Sequence, residues 1–165
     1  MASFLPQLGR GQAEHPNVVF IMADDLGWSD LACYGSDFHE TPNLDRLARE
    51  SVVFSDAYAA SPVCSPTRAS IMAGKHPARL HMTIWRESAA RRGSRKLLHP
   101  VALDALSLEH DTLAEILRDA GYYTAHLGKW HLGAAESYPQ AHGFDINIAP
   151  RPFPMISSRK FCVVN

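Results

Sequence analysis

The amino-acid sequence predicts an α/β protein built on a layered, mostly parallel sheet. Short runs with strand composition alternate along the chain with amphipathic segments at helical spacing, which is the pattern of strands joined by crossover helices. The first run, residues 18–23, is continuous, apolar and rich in β-branched side chains, as in a strand buried on both faces. The length of 165 residues indicates a single domain.

Two acidic residues, Asp24 and Asp25, follow the first predicted strand directly. Open α/β sheets bind their ligands in the crevice at the carboxyl ends of the strands. The pair is therefore well placed to hold a cation or to take part in catalysis. A simpler interpretation, in which the two carboxylates only cap a turn, stays open at this point.

The next segment predicts a short amphipathic helix. Thr41 is suited to the N-cap and Pro42 to the first turn, and Leu44, Leu47 and Ala48 form an apolar stripe. A second strand is predicted at residues 52–54, where valine and phenylalanine follow one another.

A second helix is predicted after Cys64. Ser65 is suited to cap this helix, Pro66 to open it and Gly74 to end it. Cys64 would then lie just outside the amino end of a helix, where the helix dipole favours negative charge.

Residues 86–99 contain a cluster of basic side chains between Arg91 and Lys96 and few apolar ones, which predicts a solvated surface insertion. Thr112 and Glu115 then form a capping box, and Leu113, Ile116, Leu117 and Ala120 share one face of the predicted helix.

Gly121 ends that helix, and residues 122–127 have strand composition. The glycine-bracketed segment 128–133 predicts a loop at the carboxyl end of this strand. His126, on the strand, and Trp130, in the loop, are expected to be packed core residues.

The bulk composition is that of an ordinary globular protein. Apolar residues make up 46% and charged residues 20%, the net charge is −1 and the isoelectric point is about 6.7, so nothing indicates a nucleic-acid or membrane partner. Residues 1–16 lack periodicity and the apolar core of a secretory signal, so we expect a loose arm and a cytoplasmic location. The three cysteines, at 33, 64 and 162, do not predict a disulfide framework, which leaves Cys64 free for other chemistry.

Three segments carry groups suited to the chemistry of an anionic ester: Asp24 with Asp25, residues 64–68, and residues 129–131. Each follows a predicted strand or begins a helix, so one edge of the sheet could bring them together. Arg68 and Lys129 are suited to hold the developing negative charge, and His131 to transfer a proton.

The order of the motifs resembles that of the type I sulfatases, and the resemblance covers about residues 17–145. Cys64-Ser65-Pro66-Thr67-Arg68 resembles the family's C-x-P-T-R signature, and residues 17–27 its opening strand. Residues 41–45, 121–125 with 128–133, and 142–145 match further motifs in the family's order.

The resemblance implies an alkaline-phosphatase-like fold and a sulfuric ester hydrolase that cleaves a sulfate monoester of a small molecule or carbohydrate. It implies that a formylglycine-generating enzyme oxidises Cys64 to formylglycine, whose hydrate attacks sulfur. Asp24, Asp25 and residue 64 would bind a calcium ion. Arg68 would steady the hydrate and Lys129 the sulfate and hydrate oxygens.

His131 would take a proton as sulfate leaves. Residues 17–150 would then be the amino-terminal part of a sulfatase catalytic domain, and 151–165 a tail without resemblance. The later family segments, with an Asp-Asn pair, a histidine and a lysine, have no match before Asn165. The fold is therefore expected to be incomplete because the carboxyl-terminal part is missing.

Two alternatives remain open. The chain could be a truncated, catalytically inactive sulfatase fragment that at most binds an anion or a partner. A phosphatase that uses the Cys64 thiolate ranks last, because only three residues separate Cys64 from Arg68, too few for a cradle of backbone amides. No C-x-x-C pair or H-E-x-x-H helix predicts zinc.

Overall fold

The structure is a computed structural model that describes residues 16–89 and 101–148 and the backbone of Cys162–Val164. The predicted amino-terminal arm, except residue 16, the basic cluster of the insertion and most of the predicted tail lie outside the described residues. The helices are α1 (Pro42–Glu50), α2 (Cys64–Ala73), α3 (Arg86–Ala89) and α4 (Leu113–Asp119), and the strands are β1 (Thr124–Leu127), β2 (Ile146–Ile148) and β3 (Cys162–Val164). Turns of 3-10 helix occur at Ala32–Tyr34, Pro77–Leu80, Ala135–Ser137 and Pro139–His142.

The described sheet has three strands in the order β2-β1-β3. β1 pairs with β2 in parallel, with Ala125 opposite Ile146, and with β3 in antiparallel, with Ala125 opposite Val163. The strand predicted at residues 122–127 is thus confirmed and lies in the centre of this sheet. β3 comes from residues 151–165, which were interpreted from the sequence as a tail.

The strands predicted at residues 18–23 and 52–54 are absent from the described part of the chain. An isolated bridge at Val18 is all that forms in the first segment, and Val19, Ile21 and Phe54 are 63%, 58% and 71% exposed. The interpretation of 18–23 as a strand buried on both faces was wrong for a physical reason. Strand composition gives a strand only where a neighbouring backbone supplies a ladder of hydrogen bonds, and among the described residues this segment forms only the single bridge at Val18.

α1 forms where the sequence predicts a helix, but Thr41 does not cap it. The Thr41 hydroxyl donates to Asp45 Oδ1 at 2.9 Å and accepts from the Ala32 backbone N–H at 3.0 Å. These bonds tie the start of α1 to the preceding 3-10 turn. The apolar stripe stays partly in solvent, with Leu44 43% and Leu47 56% exposed.

α2 begins at Cys64 itself, two positions before the predicted opening residue Pro66, and is ended by Gly74, whose φ of 60° is left-handed. Ser65 does not cap the helix, because its buried hydroxyl accepts the backbone N–H of Arg86 at 3.0 Å. Cys64 is therefore fixed as the first helical residue, and α3 is bound to the same helix end.

The core lies between α2, α4 and the segments that flank β1. Its buried apolar residues are Ala69, Met72, Leu80, Met82, Leu106, Ala114, Trp130, Leu132 and Phe144. His126 is 3% exposed, meets the ring of Trp130 edge-on at 5.3 Å and pairs through Nδ1 with Asn147 Oδ1 at 3.0 Å. Its predicted packing role, and that of Trp130, are confirmed.

The capping box of α4 forms as predicted. The Thr112 hydroxyl accepts from the Glu115 backbone N–H at 3.3 Å, and Glu115 Oε2 accepts from the Thr112 backbone N–H at 2.8 Å. The apolar face is rotated from the predicted one, since Ala114 is fully buried and Ile116 is 59% exposed.

No helix among the described residues is long and apolar enough to cross a membrane, and α2, at ten residues, is as long as any of them.

Gly143 is required where the segment before β2 crosses α4. Its φ is 91°, and a Cβ added there would lie 2.5 Å from Glu115 Cγ and 2.6 Å from the Glu115 backbone nitrogen. We expect Gly143→Ala to lower the free energy of unfolding by about 3 kcal/mol, from left-handed backbone strain and overpacking together. Gly121→Ala is the matched control, because Gly121 has a φ of 90° but open space around it, and should cost only about 1 kcal/mol. Equal losses in urea unfolding would contradict this account.

His142 makes stability depend on pH. Its side chain is fully buried, and neither ring nitrogen has a hydrogen-bond partner among the described residues. Burial lowers the pKa of His142, although the charge of Glu115 opposes this. The unfolded state therefore binds more protons than the folded state as the pH falls below about 6.5, and stability is lost there.

His142→Phe keeps a ring in the core and removes the titrating group. We expect the free energy of unfolding of this variant to fall less between pH 7 and pH 5 than that of the parent chain. Urea unfolding at both pH values checks this. An equal fall in both chains would show that His142 does not contribute.

Candidate active site

Two acids and one cysteine that are distant in the sequence meet in the structure. One ligand atom each from Asp24, Asp25 and Cys64 lie within 4.8 Å of one another. Asp24 and Asp25 come from the extended segment that follows residue 23, and Cys64 is the first residue of α2. The predicted convergence of these segments is thus found.

Lys129 connects the carboxylate and the thiol. Its Nζ donates to Asp24 Oδ2 at 2.6 Å and to Cys64 Sγ at 3.2 Å, and its side chain is 14% exposed. Burial by itself lowers the pKa of Lys129, but the hydrogen bonds to Asp24 and Cys64 and the charge of the Asp24 carboxylate outweigh it and raise the pKa. Lys129 therefore carries its positive charge throughout the neutral pH range.

Arg68 adds a second cation behind the same carboxylate. Its NH2 lies 3.5 Å from Asp24 Oδ2, and its NH1 donates to the backbone carbonyl of Lys129 at 2.6 Å. The side chain is 8% exposed. Arg68 thus connects α2 to the loop after β1 and fixes the position of Lys129 relative to Cys64.

Asp25 and His131 both have left-handed backbones, with φ values of 56° and 61°. This conformation is uncommon for residues other than glycine and costs roughly 1 kcal/mol. Strain of this kind occurs preferentially at functional sites. Among the described residues it also occurs at His81, at the end of a 3-10 turn, so it is not confined to the predicted site.

His131 is held by a residue that the sequence did not single out. Its Nε2 donates to both carboxylate oxygens of Glu87, at 2.8 and 2.9 Å. Burial lowers the pKa of His131, the hydrogen bond and charge of Glu87 raise it, and the positive charges of Lys129 and Arg68 lower it further. The net direction is downward, so His131 is neutral and able to accept a proton at neutral pH.

Glu87 was missed because it lies in the segment interpreted as a solvated insertion. Its first residues, Arg86–Ala89, form α3, and the backbone N–H of Arg86 binds the hydroxyl of Ser65. The sequence Arg86–Ala89 contains no recognisable motif that would indicate a functional residue. The contact between Glu87 and His131 is therefore visible only in the tertiary structure.

The donor set suits a hard cation in part. Carboxylate oxygens are preferred calcium ligands, and Asp24 and Asp25 supply them side by side. The Cys64 sulfur is a soft donor, so an oxygen at this position would fit calcium better than the thiol does. Calcium takes six to eight oxygen ligands, and these three residues would hold one side of the ion.

This chain is similar in sequence to several known proteins. A family model described as Sulfatase matches residues 16–152. Steryl-sulfatase of Homo sapiens is 38% identical over 149 residues, which are 86% of this chain and 24% of that protein. N-acetylgalactosamine-6-sulfatase of Canis lupus familiaris is 38% identical over 137 residues, which are 82% of this chain and 25% of that protein.

Solved structures show the same relationship. The crystal structure of Ps i-CgsB is similar with a TM-score of 0.66 and 33% identity, over 83% of this chain and 29% of that one. The described fold is thereby that of the alkaline-phosphatase-like α/β enzymes, as predicted. The chain spans about a quarter of the length of the curated relatives it matches.

Asp24 is the group that neutralises two nearly buried cations, so its charge should matter for stability. We expect Asp24→Asn to lower the free energy of unfolding by about 3 kcal/mol, because Lys129 and Arg68 would lose a buried counter-charge. Asp25→Asn is the matched control: Asp25 is exposed, asparagine tolerates its left-handed φ, and the loss should be about 0.5 kcal/mol. Urea unfolding at pH 7 measures both, and a larger loss at position 25 would refute this ranking.

Proposed function

The chain belongs to the sulfatase family, and from this premise we propose that it carries the part of a sulfuric ester hydrolase that binds and activates the sulfate group. The observation that supports the proposal is the contact of Lys129 Nζ with both Asp24 and Cys64, beside Asp25 and Arg68. Ligand atoms of Asp24, Asp25 and Cys64 thus lie within 4.8 Å of one another, and the two cations both contact the Asp24 carboxylate.

Formylglycine and calcium are general features of the family. Formylglycine supplies an oxygen nucleophile in place of the thiol, and calcium supplies positive charge beside that oxygen. In this chain we assign the modification to Cys64 and the ion to Asp24, Asp25 and the oxygen at position 64. A formylglycine-generating enzyme would then be a partner of the chain.

The remaining groups act on the substrate and on the position of residue 64. Lys129 Nζ, which is charged and close to Cys64, would bind a sulfate oxygen and stabilise its growing charge. Arg68 would hold Lys129 and Asp24 in place and add positive potential. His131, which is neutral at rest, would receive a proton.

The names of similar proteins support a broad class of substrate and no individual compound. The relatives are a steryl-sulfatase and an N-acetylgalactosamine-6-sulfatase, and Ps i-CgsB has also been crystallised with k-i-k-neocarrahexaose. We therefore propose a sulfate monoester of a small molecule or carbohydrate.

The second candidate function is anion binding without turnover. It is favoured by the ligand count, because Asp24, Asp25 and residue 64 would supply fewer oxygens than calcium takes. Lys129 would bind a sulfate group in either case, with Arg68 adding positive potential, so only modification and turnover separate the two candidates.

The test is co-expression of the chain with a formylglycine-generating enzyme, followed by peptide mass spectrometry and an arylsulfate assay with calcium. We expect the Cys64 peptide to convert from thiol to aldehyde and turnover to depend on it. Cys64→Ala should abolish turnover, and Cys33→Ala, which removes another free and exposed cysteine, should leave it unchanged. Modification without turnover would support anion binding, and an unmodified Cys64 in soluble chain would contradict the hydrolase.

A further inference from the structure

We propose that Glu87 is a positioning residue that fixes the His131 imidazole as the Nε2–H tautomer and leaves Nδ1 as the nitrogen that accepts a proton. This inference deepens the proposed function and rests on it. It concerns the short helix α3, for which the sequence motifs suggested no role.

The first support is the hydrogen-bond chemistry of the pair. His131 Nε2 lies 2.9 Å from Glu87 Oε1 and 2.8 Å from Oε2. An ionised carboxylate can only accept hydrogen bonds, so Nε2 must carry the proton. In a neutral imidazole the other nitrogen, Nδ1, then holds the lone pair.

The second support is the environment of Nδ1. This nitrogen is buried and has no hydrogen-bond partner among the residues that the structure describes. Buried polar atoms without a partner are rare in proteins, and each one needs an explanation. A lone pair kept available for a proton from the reacting group is such an explanation.

The third support is the way in which Glu87 is anchored. The backbone N–H of Arg86, its neighbour in α3, donates to the hydroxyl of Ser65 at 3.0 Å, and Ser65 is fully buried. Ser65 follows Cys64 at the start of α2. The backbone next to Glu87 is therefore hydrogen-bonded to the same helix end that presents Cys64.

Charge adds a second effect. The charged groups around His131 are Glu87 on α3, Lys129 on its own loop and Arg68 on α2. The two cations disfavour the imidazolium form, and the Glu87 carboxylate favours it. When Nδ1 takes a proton, Nε2 keeps its own, and Glu87 pairs with the positive charge that results. The arrangement follows the general pattern of a base oriented by a third group.

The experiment is nitrogen-15 NMR of the histidine side chains in the unmodified chain, at a pH where His131 is neutral. We expect Nε2 of His131 to give the shift of a protonated nitrogen and Nδ1 that of an unprotonated one. The opposite pattern, with the proton on Nδ1, would overturn the proposal. This measurement needs neither a variant nor turnover, so it is independent of whether the chain hydrolyses sulfate esters.

Two variants of Glu87 distinguish its effect on the tautomer of His131 from its effect on the His131 pKa. Glu87→Gln keeps a carbonyl oxygen that can accept from Nε2, so we expect it to retain the Nε2–H tautomer but shift the His131 pKa downward. Glu87→Ala removes the acceptor, so the Nδ1–H tautomer should appear as well. Glu50→Gln, an exposed glutamate at the end of α1, is the control and should change neither. An unchanged tautomer in Glu87→Ala would also overturn the proposal.

Discussion

The position of Lys129 Nζ between Asp24 Oδ2 and Cys64 Sγ is the interaction on which the rest of the site depends. Lys129 and Arg68 place two cations against one carboxylate, in side chains that are almost removed from solvent. Burial of this kind is costly unless each charge has a partner. The three groups therefore fix one another, and Cys64 lies at the edge of that network.

This interaction has a mechanical role as well as an electrostatic one. Cys64 and Arg68 belong to α2, and Lys129 follows the central strand β1, so all three are carried by packed elements. Asp24 lies instead on an extended segment that is only partly packed: Phe20 packs against the core, whereas Ile21 is 58% exposed. The ion pairs of Asp24 with Lys129 and Arg68 add to that packing in holding it beside Cys64.

The sequence predicted helices and turns better than strands. The capping box of Thr112 and Glu115 and the glycine end of α2 are local features that need only a few neighbouring residues, and both are found. Residues 18–23 and 52–54 have strand composition, but a strand requires hydrogen bonds from a neighbouring backbone, which a local pattern does not specify. The predictions of where α2 starts and of Ser65 as its N-cap were wrong for a related reason. The Ser65 hydroxyl accepts a hydrogen bond from the backbone N–H of Arg86, in α3, which lies 21 residues away in the sequence.

For the candidate active site, as for the fold, the sequence predicted local features and the tertiary structure decided the long-range contacts. The sequence by itself determined which residue types take part, namely the acids at 24 and 25, the cysteine at 64, and the cations and histidine that follow, because their order along the chain resembles that of one family. Only the tertiary structure decided that Lys129 bridges Asp24 and Cys64 and that Glu87 holds His131. Such contacts join residues tens of positions apart, and hydrogen bonding depends on differences in distance of a few tenths of an ångström, which no spacing in a linear chain records.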